Sequence, residues 1–83
     1  MKITLELKKA ILRILQEANR RTMSPESLAV YTSAQLDAPV TAEQVRAALA
    51  ELEQLGMVQR RASALDPTVL TWRATEAGMR EEV

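Results

Sequence analysis

Histidine and cysteine are both absent from the 83 residues of this sequence, and that decides most of what its side chains can do. Those two types supply the commonest general base, the best nucleophile and the commonest metal ligands. The only aspartates, Asp37 and Asp66, stand in turn-like contexts, and the glutamates fall on helix surfaces. No catalytic residue, metal site or cofactor is expected, and the chain reads as a module that binds something rather than as an enzyme. The chemistry left is hydrogen bonding. Its candidates are the amide of Gln44, the hydroxyls of Ser24 and Thr41, and the guanidinium groups of Arg20, Arg21, Arg46, Arg60, Arg61 and Arg73. A guanidinium or an amide recognises planar acceptors with two parallel bonds, so these groups are suited to reading a surface by geometry.

The overall charge pulls against the most obvious use of such groups. Eleven basic residues are balanced by eleven acidic ones, whereas a strongly basic domain would point to nucleic acid. Neutrality lowers that expectation without removing it, because the distribution of charge over the surface matters more than the sum. A chain of this length is expected to be one domain over residues 1–83. A hydrophobic fraction of 47% is ordinary for a folded chain, and it is almost wholly aliphatic, with one Trp, one Tyr and no Phe. Ala, Leu and Met suit helices better than strands. Without cysteine, no disulfide or thiolate zinc site can hold the fold. Glu6, Lys8 and Lys9 interrupt any leader-like apolar run, and no stretch is long enough to span a bilayer. A cytoplasmic protein is expected, with no membrane partner.

The elements that would position these groups can be read from periodicity and capping. Leu7, Ala10, Ile11, Ile14, Leu15 and Ala18 recur at helical spacing, which predicts a first helix from Leu5 to Asn19 with Thr4 as its cap. Leu5 and Leu12 lie to one side of that stripe, either widening the core contact or meeting another subunit. Ser24-Pro25-Glu26 starts a second helix with a hydroxyl cap, proline at the first helical position and an acid on the positive end of the dipole. It carries Leu28, Ala29, Tyr31, Thr32 and Leu36 on one broad face and ends before Asp37-Ala38-Pro39. Thr41-Ala42-Glu43-Gln44 is a capping box opening a third helix over 42–55. Its stripe is Val45, Ala48, Leu49, Leu52 and Leu55, and Gly56 falls where a left-handed residue closes a helix. Then the period changes. Met57–Arg61 and Val69–Arg73 read as strands joined by the turn residues Ala64–Thr68, and Thr75 caps a last helical turn.

The run Leu52-Glu53-Gln54-Leu55-Gly56-Met57-Val58-Gln59-Arg60, together with the closing Thr75-Glu76-Ala77-Gly78, resembles the third helix, first wing strand and final turn of winged helix-turn-helix regulators from bacteria and phages. The resemblance covers nearly the whole chain. It implies a mainly α fold with a small β-hairpin (α+β), built as a three-helix core plus a two-stranded wing. The function it implies is that of a DNA-binding protein, a small transcriptional regulator. In such a protein helix 42–55 enters the major groove, first turns nearest the base edges, and the wing contacts the backbone. The face presented there is Thr41, Glu43, Gln44, Arg46, Ala47 and Ala50. Gln44 can bond adenine and Arg46 guanine, each bidentately, while the alanines allow close approach or touch a thymine methyl. Ser24, Thr41 and the helix starts are candidates for phosphate, with Arg60, Arg61 and Arg73 on the wing strands.

Other residues oppose this. Glu43, Glu51 and Glu53 lie on the same helix, and the wing tip Ala64-Leu65-Asp66-Pro67 has no Lys or Arg. Gln44 can be spent on the cap and Arg46 on Glu43 or Glu53. The alternative is a winged-helix protein–protein interaction module without DNA binding, using Ala47, Ala50 and Leu65, with Leu5 and Leu12 beside them. On the DNA reading the partners are double-stranded DNA and a second copy, since one domain reads few base pairs. The homodimer is expected to join through the flanks of the first helix and the C-terminal turn.

Overall fold

The computed structural model describes residues 5–18, 21–62, 64–66 and 68–82. The elements run α1 (Leu5–Glu17), α2 (Pro25–Leu36), α3 (Ala42–Gln54), β1 (Val58–Ala62), β2 (Leu70–Ala74) and α4 (Glu76–Arg80). The expected cap Thr4, the expected end Asn19 and Arg20 lie outside the described residues, and α1 itself closes at Glu17. The strands begin and end one residue later than their apolar alternation suggests.

The helix boundaries follow from side chains satisfying orphaned backbone groups. Ser24 Oγ accepts from the Ser27 amide at 3.2 Å, with Pro25 at the first helical position. The α2 end turns through Asp37, which is left-handed at φ 52°. The Ser33 hydroxyl donates to Ala29 O at 2.7 Å and accepts from the Val40 amide at 2.9 Å, which fixes the turn between α2 and α3. At α3 the capping box is complete: the Gln44 amide reaches Thr41 Oγ1 at 3.2 Å, and the Thr41 amide reaches Gln44 Oε1 at 2.9 Å. Its far end is a Schellman turn. Met57 N donates to Leu52 O and Gly56 N to Glu53 O, which requires the φ of 76° that Gly56 adopts.

Ile11, Leu15, Leu28, Val45 and Leu49 are fully buried at the centre, with Leu52, Val58 and Trp72 closing around them. The hairpin is antiparallel, pairing Val58 with Ala74, Arg60 with Trp72 and Ala62 with Leu70. The connector after α1 adds a bridge that the sequence did not suggest, with Met23 and Trp72 exchanging amide–carbonyl bonds at 2.7 and 2.8 Å. The Thr75-x-x-Gly78 signature also has a structural reason. Thr75 donates its hydroxyl to Gly56 O and accepts from Gly78 N, and a Cβ at Gly78 would lie 2.0 Å from Met57 O. Only glycine allows α4 to sit this close to the Met57 carbonyl, in the turn between α3 and β1.

Of the two readings of Leu12, the core contact holds: it is 2% exposed, because α1 is packed by α2, α3, α4 and β2 and needs a wide apolar face. Two expectations are corrected. Leu55 is 63% exposed rather than part of the α3 stripe, since the chain leaves the helical path there toward Gly56. Tyr31 is also exposed, so the buried face of α2 is Leu28, Ala29 and Thr32, with Leu36 partly buried beside it.

Candidate nucleic-acid interface

α2 and α3, joined by the short turn over 37–41, form the helix pair from which the candidate residues project. On α3 the buried positions Val45, Ala48, Leu49 and Leu52 fix the opposite side as solvent-facing. Glu43, Arg46, Ala47 and Ala50 are exposed on it, as is the cap Thr41, with Gln44 half-buried. The two alanines leave that side without relief, so another surface can approach the helix backbone closely.

Thr41, Gln44 and Arg46 on this face are already engaged. Arg46 Nη2 lies 2.7 Å from Glu26 Oε1 at the start of α2, both side chains being more than half exposed. This is neither partner expected from sequence spacing; it comes from the packing of α2 on α3. An ion pair this exposed is worth little, of order 0.2–1 kcal/mol, and can open for a better acceptor. Gln44 Oε1 accepts from the Thr41 amide. A bidentate bond to adenine uses both ends of the amide, so Oε1 must then serve base and cap through its two lone pairs, whereas a single bond from Nε2 leaves the cap untouched.

The wing arginines do not gather. Alternation along a strand puts Arg60 on the face of Trp72 and Ala74, and Arg61 with Arg73 on the other. Arg60 Nε reaches back to Glu53 Oε2 of α3 at 3.3 Å, and Arg73 Nη2 donates to its cross-strand neighbour Gln59 at 3.3 Å. Arg61 is exposed and makes no side-chain hydrogen bond or ion pair among the described residues. Ser24 and Arg46, by contrast, come together. With Glu26, Thr68, Leu70 and Trp72 they line a cleft between the start of α2, α3 and the wing from the end of its turn along β2.

The wing tip is anionic and apolar. Leu65 is 98% exposed. Asp66 Oδ1 accepts from both the hydroxyl and the amide of Thr68, at 2.7 and 3.1 Å. Those bonds, the hydroxyl's first, hold its carboxyl below the ordinary aspartate range, so it is ionised at neutral pH. Among the described residues no three acidic side chains converge as a metal site would require, and no helix is long and apolar enough to cross a membrane.

No protein-family model matches the sequence, and no curated protein matches it. Solved structures do match the fold. Lactococcus lactis ZitR in an apo form is similar at a TM-score of 0.69 and 20% identity, over 90% of this chain and 50% of that one. A mutant of S. aureus MepR bound to an oligodeoxyribonucleotide gives 0.70 and 19%, over 93% of this chain and 51% of that one. Streptococcus pneumoniae FabT in complex with DNA gives 0.63 and 26%, over 93% and 48%. The chain thus spans about half the length of the structures it matches. It has the winged-helix fold, mainly α with a small β wing, as its motifs imply.

Proposed function

We propose that this chain is a DNA-binding module of the transcriptional-regulator type, a single winged-helix domain that reads the major groove with the exposed side of α3 and works as a pair of copies on two half-sites. The observation that carries the proposal is the agreement of nearly the whole chain with winged-helix structures, two of them bound to DNA, combined with the flat, alanine-lined outer side of α3. On this reading Ser24 and the start of α2 meet the phosphate backbone, and Thr41, Glu43, Gln44, Arg46, Ala47 and Ala50 face base edges. Arg61 meets phosphate from the wing, and Arg60 and Arg73 do so once released from Glu53 and Gln59. The module has no catalytic role and acts in the cytoplasm.

Electrostatics sets the strength. With Arg46 and Arg60 held by acids and an acidic wing tip, about 3–5 phosphates are neutralised per domain, which predicts a slope of log K against log salt near −3 to −5. Fluorescence anisotropy of labelled duplexes at two salt concentrations measures it. Absence of binding at low salt would leave a protein-binding module using the alanine face together with the wing tip, where Leu65 is 98% exposed.

A further inference from the structure

Glu26 is the one charged side chain of α2, and it stands in the first turn of that helix. Its carboxylate accepts from Arg46 Nη2 at 2.7 Å, which ties the start of α2 to the second turn of α3. Both ends of the pair rest on fixed backbone. Ser24 Oγ caps the turn that carries Glu26, with Pro25 buried at its first position, and the α3 neighbours of Arg46 that face inward, Val45 and Leu49, are fully buried. Arg46 has an acid closer in sequence, Glu43 one turn earlier on α3, and the two form no ion pair. The guanidinium is instead drawn to the cleft that Ser24, Leu70 and Trp72 also line.

We propose that Glu26 is a positioning residue that determines specificity: it holds the Arg46 guanidinium for a guanine edge and keeps it from settling on a phosphate. A guanidinium carries several N–H donors in a rigid planar fork. Glu26 engages Nη2 alone, so Arg46 can keep that bond and still direct two parallel N–H groups at guanine O6 and N7. A long side chain loses conformational freedom when a base orders it. With Glu26 in place much of that loss precedes the encounter, which favours the one acceptor geometry that matches. The carboxylate also offsets the charge of Arg46, so a phosphate gains little from it. Without Glu26 the guanidinium is released to neutralise phosphate, which is alike in every sequence. Glu26 thus raises discrimination and lowers non-specific affinity. That accounts for an acid at a helix start that would otherwise meet the DNA backbone. The inference deepens the proposed function and rests on its DNA reading.

The test uses the full chain and labelled duplexes enriched by the wild type from a randomised pool, with single-base variants at the guanine whose preference is lost in Arg46→Ala. Fluorescence anisotropy gives Kd for matched and mismatched duplexes. Glu26→Gln should tighten binding to the mismatched duplexes by about two- to fivefold, the range open to an exposed pair, and leave the matched one nearly unchanged. Glu26→Asp keeps the charge but draws the carboxylate back by one methylene, and it should also lose discrimination. In an Arg46→Ala background, Glu26→Gln should tighten matched and mismatched duplexes alike. Circular dichroism melts check that each variant is folded. Equal tightening on both duplexes with Arg46 present would make Glu26 a repelling charge only, and it overturns the proposal while the DNA reading stands. So does wild-type discrimination in both Glu26 variants, or a preference for guanine that Arg46→Ala leaves in place. A wild type that binds no duplex at low salt overturns the DNA reading, and this inference with it.

Discussion

The outer side of α3 and the tip of the wing are both exposed and both candidate contacts, yet they are built differently. α3 is anchored along its whole length by buried Val45, Ala48, Leu49 and Leu52. Its outer side is therefore a rigid plane at a fixed angle to α2, and its polar groups are held in weak bonds to neighbours. The wing tip hangs from one two-stranded ribbon, and its order comes from a local turn around Asp66 rather than from the core. Its exposed groups are an aliphatic side chain and a carboxylate, neither of which attracts phosphate. On the proposed function, the difference puts specificity and most affinity on the helix, with the wing contributing only through Arg61 and its strand neighbours.

The largest effect that separates the two regions is on stability. Leu52→Ala should cost about 2–5 kcal/mol, because the buried side chain leaves a cavity beneath the α3 face. Leu65→Ala should stay within about 0.5 kcal/mol. Denaturant melts of the two variants sharpen the comparison, and a severe loss at Leu65 would break it.

On DNA the contrast is smaller and of another kind. Arg46→Ala should cost about 1–3 kcal/mol of binding and relax the preference for one base pair, since a guanidinium on the helix reads an edge. Arg61→Ala should weaken binding evenly across sequences and flatten the salt slope by about one unit. Anisotropy against a panel of single-base variants of one site measures both. Equal loss of preference from the two changes would mean that wing and helix share the reading.

Much of this was legible in sequence because the determinants are local. The caps Ser24, Thr41 and Thr75 and the left-handed Gly56 need only a few neighbouring residues, and each falls where spacing placed it. What escaped the sequence depended on tertiary packing. Periodicity alone carries the α3 stripe on to Leu55, one residue beyond the point where the helix gives way to the turn. Leu12 stands off the main stripe of α1, and the elements packed around that helix decide between its two readings in favour of the core. The partner of Arg46 is 20 positions away on α2 and no local rule selects it, and the Met23–Trp72 bridge is equally nonlocal. Among the candidate site residues, the ones brought together are Ser24 and Arg46, while the pleat divides Arg60 from Arg61 and Arg73.

The central claim is that α3, and not the wing tip, carries the contact with DNA. Titrating the isotope-labelled protein with a short duplex, and following every backbone amide by NMR, tests it most directly. The expected result is that the largest shifts fall on residues 41–50 and at the start of α2 around Ser24 to Ser27, a smaller set falls at Arg61, and Leu65 and Asp66 stay nearly unmoved. Shifts confined to the wing tip or to α1 and the chain end, with α3 silent, would contradict it.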